Sequence, residues 1–330
     1  MNKKFDKYVQ NVICGENLLL DDLLNIVKNV ETETLTLGAN KIRERFKGNQ
    51  AHLCAALNIK SGCCSENCMY CSQSKYYKTH VEYYDIIDEE KVDSFADFNL
   101  DNGVHNLGLS SSGGSYADLN KEKLIALYKH ISKHTPLILC GAHGILHSVE
   151  EAIELKKAGL ITYEHNLQTS ERFYHNICTT HKYQQRIDTI KFAKEAGLNI
   201  CSGGIFGLGE TMQDRIEMAL TLRDLEVKSV PLNILNPVQG TPLGDQNVKL
   251  SVEEVLRSIA IFRMALPDAN LIYGAGRAFM GTECSKAFSA GMNGIVVGNF
   301  LTAKGNCIQD DVELLKERGM VPVPSFKKQD

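Results

Sequence analysis

The amino-acid sequence predicts an α/β protein, a (β/α)8 TIM-type barrel with an N-terminal helical extension. Three observations lead there. Short apolar or β-branched runs alternate with longer amphipathic segments. Eight such runs fall within roughly 250 residues, the span of a closed barrel. Thiol and polar residues recur where the runs end, on the rim where barrels and open α/β sheets alike place their chemistry. A doubly wound open sheet is the runner-up, because a linear pattern does not reveal closure.

Ahead of the first strand, LLLDDLLNIVKNV spaces apolar residues three and four apart, so residues 17–48 read as helical. Strands are then read at 53–59 (LCAALNI), 104–109 (VHNLGL), 136–141 (PLILCG), 161–165 (ITYEH) and 198–202 (LNICS). Three more follow at 228–234 (KSVPLNI), 271–275 (LIYGA) and 294–298 (GIVVG). The intervening segments, such as EKLIALYKHISKH, SVEEAIELKKAG and RIDTIKFAKEAG, carry helical spacing, and several end in Lys or His or pass into Gly. The expected organisation is a helical extension over 1–48, the barrel over 49–305, and a C-terminal helix and tail over 306–330.

Composition narrows the function classes. Hydrophobic residues make up 43% and charged residues 23%, as in an ordinary globular chain. A net charge of −4 without a basic block argues against nucleic acid. No apolar run approaches a membrane span, and MNKKFDKYVQ has no apolar core of a secretory signal. Eleven cysteines in such a chain point to the reducing cytoplasm, where clustered thiols serve metal or redox chemistry rather than disulfides.

The densest cluster is SGCCSENCMYCSQS at 61–74, in which Cys64, Cys68 and Cys71 form a C-x3-C-x2-C frame. A structural zinc site needs four closed ligands, and only Cys63 or His80 stands near enough in sequence to complete one. Unligated thiols so crowded would invite oxidation. An iron–sulfur cluster suits the triplet better, with one iron left open to a ligand. Cys63 is out of frame and reads as a packing residue, as do Cys14, Cys54, Cys284 and Cys307. His143 and His165 read as structural histidines near the rim.

The C-x3-C-x2-C loop resembles that of the radical S-adenosylmethionine enzymes. The resemblance implies a 4Fe–4S cluster on Cys64, Cys68 and Cys71, with S-adenosylmethionine on the open iron, and Tyr70 packing on its adenine. GGIFGLGE after the fifth strand matches the G-x-I-x-G-x-x-E pattern of the same superfamily through Gly203, Ile205, Gly207 and Glu210. Within the superfamily, SGCCSENCMYCSQSKYYKT, YEHNLQTS, TTHKYQQRIDT, NICSGGIFGLGET and SVPLNILNPVQGTPL are similar, in order, to stretches of biotin synthases.

That resemblance implies sulfur insertion into dethiobiotin, driven by 5′-deoxyadenosyl radicals. A flavodoxin or ferredoxin would donate electrons, and the protein would be a homodimer. Asn166 and Gln168 would contact the cofactor's ribose, and Asn166 would also reach the ureido ring of the substrate. Arg186 would pair with the methionine carboxylate, Asn233 with the ureido carbonyl, and Thr302 with the substrate's carboxylate tail. Gln168 stands where Asp is common, and Ala303 where a second Thr is common; Lys304 is a candidate to take over the tail.

The family's sulfur donor is an auxiliary cluster held by three cysteines and an arginine. Cys140, Cys201 and Arg277 match three of these, but Gly108 stands in place of the strand-2 cysteine. Cys178, in HNICTTH, is the expected replacement. Cys140, Cys178 and Cys201 would then hold a four-iron cluster whose open iron carries an exchangeable sulfide, Arg277 balancing its charge from outside. The rival is a displaced 2Fe–2S site that keeps Arg277 as a ligand. Other enzymes of the branch, a hydrogenase-cofactor maturase or a methylornithine synthase, and a non-catalytic iron–sulfur carrier are the competing functions.

Overall fold

A computed structural model of the chain describes residues 3–244, 250–299, 301, 305 and 307–326. Helices α1 (Lys3–Ile13), α2 (Leu20–Asn29) and α3 (Thr32–Lys47) precede the sheet. The helical stretch expected over 17–48 is therefore two helices. Val30 and Glu31 between them are extended. Arg257 holds that break open by donating to the Val27 and Val30 carbonyls, which a continuous helix would need for itself. Gly38 on α3 leaves room for the Phe5 ring of α1.

The sheet begins with β1 (Gln50–Lys60), and α4 (Glu89–Asp101) leads to β2 (Asn106–Ser111). Then come α5 (Lys121–His134), β3 (Ile138–Ala142), α6 (Val149–Lys157), β4 (Thr162–Glu164), α7 (Glu171–Tyr174) and α8 (Tyr183–Glu195). The fifth stave is split into β5 (Asn199–Cys201) and β6 (Gly204–Phe206), both pairing with β7 (Ser229–Ile234) across α9 (Met212–Asp224). After α10 (Val252–Ala265) come β8 (Asn270–Tyr273), α11 (Lys286–Ser289), β9 (Gly294–Val297), α12 (Ile308–Glu317) and β10 (Val321–Pro322).

All the ladders between named strands are parallel, and β9 returns to β1 through His52↔Gly294 and Cys54↔Val296. The sheet is therefore a closed eight-stave barrel, as expected, and the open-sheet alternative falls. Closure buries every stave on its outer face against helices, which is why β-branched and leucine-rich runs dominate. β10 adds a short strand to the start of β1, pairing Gln50 with Val321.

Candidate active site

The loop after β1 carries the cysteine triplet. Its shape is fixed by its own backbone: Cys64 N donates to Gln73 O (2.9 Å), Lys75 N to Cys64 O (2.9 Å) and Cys71 N to Cys68 O (3.0 Å). These bonds fold Cys64, Cys68 and Cys71 back over the barrel mouth, where Cys64 and Cys68 are buried and Cys71 partly so. Cys63 has a left-handed backbone (φ 52°) and is exposed, so it is not a packing residue. Burial raises the thiols of Cys64 and Cys71, the latter to about 11. Such thiols ionise on binding metal, so the site favours the ligated state over the free thiolate.

Cys178 falls at this first site rather than the second. Asn67 reaches across to the 178–181 turn, accepting at Oδ1 from Thr179 N (2.9 Å) and Thr180 N (3.3 Å). The turn is thereby pinned to the cysteine loop, and Cys178 Sγ lies 3.7 Å from Cys68 Sγ and 3.3 Å from His181 Nδ1. Hydrogen bonds from Cys68, His181 and Thr180 hold Cys178 well below the ordinary thiol range, while the same contact and burial raise Cys68. His181 also contacts Glu66 and sits 2.6 Å from Tyr174 OH. The assignment of Cys178 to a set with Cys140 and Cys201 is thus corrected.

The cofactor-side residues do gather. A cavity of about 350 Å³ in the barrel is lined by Tyr70, Cys71, Asn166, Gln168, Ile205 and Asn233. Asn166 Oδ1 accepts from Gly203 N (2.9 Å), and Asn233 Oδ1 from Ala275 N (2.8 Å). Gly203 lies in the gap between β5 and β6, where a Cβ would strike the Pro231 carbonyl. The Gln168 side-chain carbonyl is buried without a partner, an acceptor suited to a ligand hydroxyl. Arg186 is buried beside the cysteines, donating to Tyr174 OH (2.5 Å) and Asn166 O (2.8 Å). Glu210 holds the glycine turn rather than a ligand: its Oε1 accepts from Gly207 N (3.0 Å) and Arg215 Nε (2.6 Å). Thr302, Ala303 and Lys304 lie outside the described residues.

Deeper in the barrel, Cys54, Glu164 and Cys201 line the same cavity with Ile272. Cys140 lies mid-strand in β3 rather than at its end, and its thiol feels the charges of Glu164, Cys54 and Cys201. Burial and Glu164 raise Cys140 and Cys201 well above the usual thiol range and Cys54 to about 12. Cys54, expected to be a packing residue, also faces this interior beside Cys140 and Cys201, where Cys178 was expected. Alternation along β1 was the signal, since Cys54 and Ala56 share the inward face. Glu164 had no such signal, because a Glu in a short strand reads as solvent-facing. Three thiols and a carboxylate thus face one another in the barrel interior.

Arg277 is not part of this set. It pairs end-on with Asp311 at 2.7 and 2.9 Å and donates to Val296 O (3.0 Å). Asp311 is a buried carboxylate that needs a cation, and the guanidinium satisfies it at the junction of β9 and α12. From β8, Ile272 faces the cavity instead. His143 is buried between Ser111 Oγ (2.9 Å) and Tyr128 OH (2.7 Å), which makes it structural. Cys14 and Cys307 are exposed, contrary to a packing role; Cys284 is half-buried.

Among the described residues, no helix is long and apolar enough to cross a membrane. The profile of the radical SAM superfamily matches residues 58–222, and that of the biotin and thiamin synthesis associated domain matches 231–321. Solved structures of a methylornithine synthase (TM-score 0.82, covering 96% of this chain and 98% of that one) and of the FeFe-hydrogenase maturase from Carboxydothermus hydrogenoformans (0.78, covering 99% and 81%) share the fold, each at 18% identity. Curated relatives are much nearer in sequence. A biotin synthase of Campylobacter hominis is 44% identical over 97% of this chain and 98% of its own length. One from Clostridium perfringens strain 13 is 45% identical over 88% and 91%. The cysteine loop, the cavity beneath it and identity sustained over nearly the whole chain agree: the chain belongs to the biotin synthase family of radical S-adenosylmethionine enzymes.

Proposed function

We propose that the chain converts dethiobiotin to biotin in the barrel cavity, between a 4Fe–4S cluster at the mouth and a sulfur-donating cluster below. The single observation that carries this arrangement is the shared cavity, lined above by Cys71 and Tyr70 and below by Cys54 and Cys201. Cys64, Cys68 and Cys71 would hold the upper cluster. With bound S-adenosylmethionine such a cluster supplies 5′-deoxyadenosyl radicals that abstract substrate hydrogen.

The chain's own residues bind and orient. Tyr70 offers its ring to the adenine, the bare backbone at Gly203 lets a planar base approach, and the Ile205 side chain flanks it. Gln168 accepts from a ribose hydroxyl with its unpartnered carbonyl. Arg186, already beside Cys68 and Cys71 electrostatically, takes the methionine carboxylate. Asn166 and Asn233 face the cavity with amide groups matched to a ureido ring. The cavity walls are mainly apolar, which limits the water around a radical.

For the sulfur source we assign Cys54, Cys140 and Cys201 as thiolate ligands of the auxiliary cluster, with four irons rather than two. Three thiolates leave one iron without a thiolate, a place for exchangeable sulfide. A ferredoxin or flavodoxin donates the electron, a reducing compartment keeps the free thiols reduced, and the working form is a homodimer.

Anaerobic incubation with S-adenosylmethionine, reductant and dethiobiotin tests the reaction: biotin and substrate-dependent 5′-deoxyadenosine are expected. Substrate-independent 5′-deoxyadenosine without biotin would point to another enzyme of the branch, and no cleavage at all to a carrier. Full reconstitution with about eight irons per chain supports a four-iron auxiliary cluster, and about six the two-iron form.

A further inference from the structure

We infer that the Glu164 carboxylate is the fourth protein ligand of the auxiliary cluster. This rests on the proposal that Cys54, Cys140 and Cys201 hold that cluster. The second strand lacks a side chain facing the cluster set, at Gly108. Gly108 on β2 pairs with Cys140 on β3, and Glu164 on β4 pairs with Cys201 on β5. A Cβ built on Gly108 would lie 3.3 Å from Glu164 Oε1 and 3.4 Å from Oε2. The carboxylate therefore lies over Gly108, a position with no side chain. Two strands away, it fills the space that a strand-2 side chain would have occupied.

The surroundings of Glu164 point the same way. Among the described residues it has no hydrogen bond and no ion pair, although it is enclosed by the barrel and lines the cavity. Its neighbours are acids: Cys54, Cys140 and Cys201 each feel its negative charge. An ionised carboxylate facing three thiols with no cation in contact is unfavourable in a low-dielectric interior, so the group keeps its proton unless a positively charged group is bound among them. An iron–sulfur cluster supplies that group.

Arg277 cannot complete the set, being locked to Asp311, and Cys178 is held at the other cluster. The four donors come from β1, β3, β4 and β5, one arc of the barrel wall. Oxygen is the hard ligand in an otherwise soft set. It is therefore the ligand that yields when sulfide binds the fourth iron, and that returns when the sulfide is gone. No electron transfer is needed for this exchange.

The test uses the full-length chain reconstituted anaerobically with 57Fe and sulfide, compared with Glu164→Gln, Glu164→Cys, Cys54→Ala and Cys201→Ala. In the wild type freed of excess sulfide, one auxiliary iron is expected to show the larger Mössbauer isomer shift of mixed sulfur and oxygen coordination, and added sulfide should move it to the all-sulfur value. Glu164→Cys should move that iron to the all-sulfur value with total iron unchanged. Glu164→Gln should abolish that oxygen-coordinated signal and lower the auxiliary iron retained after desalting, while the change that S-adenosylmethionine makes in the upper cluster's EPR spectrum persists. Unchanged iron content and unchanged spectra in both Glu164 variants would overturn the inference, including the case in which only KM for dethiobiotin rises. Full iron content in Cys54→Ala and Cys201→Ala would instead overturn the underlying auxiliary-cluster assignment.

Discussion

The Arg277–Asp311 pair has side chains only 2% and 1% exposed, so each charge depends on the other. Removing the cation alone takes the two-pronged guanidinium contact from a buried carboxylate, and Arg277→Met should lower stability by up to about 3–5 kcal/mol. Urea unfolding would measure it, and adding Asp311→Leu should restore much of the loss. The iron content of Arg277→Met should match the wild type, since the guanidinium lies outside the cavity. Cys178→Ala should likewise keep the auxiliary iron, whereas Cys54→Ala should lose it; iron and sulfide analysis of the two variants separates the assignments. Cys54 and Cys178 differ little as letters in a sequence. What separates them is which way β1 turns its alternate side chains, and which loop Asn67 fastens to the cysteine turn.

Among the elements, the break between β5 and β6 matters most for the cofactor. Ser202 N still donates to Ser229 O, and Gly203 then bends the stave so that its N–H meets Asn166. A methyl at 203 would meet the Pro231 carbonyl, and the backbone cannot move without disturbing β7. Gly203→Ala should weaken S-adenosylmethionine binding tenfold or more, roughly 1.4 kcal/mol. Equilibrium binding to the reconstituted enzyme would show it. Glycine-rich patterning announced a turn here, and the family resemblance gave it a ligand. The split of the stave, and the use of Glu210 to tie Gly207 to Arg215, were not legible, because both depend on contacts with α9 and β7.

The whole barrel carries a pH signature. His143 is wholly buried between Ser111 and Tyr128, and burial lowers its pKa from 6.5 to about 3. The unfolded chain therefore binds a proton below about pH 6.5 that the folded chain refuses. Stability from this group is present above pH 6.5 and is lost as pH falls toward 3. Denaturant titrations from pH 7 to 4 should show falling stability, with a shallower slope in His143→Gln. The number and order of staves, the helices between them and the triplet loop follow from local patterning, because alternation and helical spacing are written along the chain. Closure through β1 and β9, the division of the helical extension at Val30, and the turn of Glu164 into the barrel interior were decided only in three dimensions. They depend on residues far apart in sequence meeting across the barrel, and a linear pattern holds no record of which donors converge.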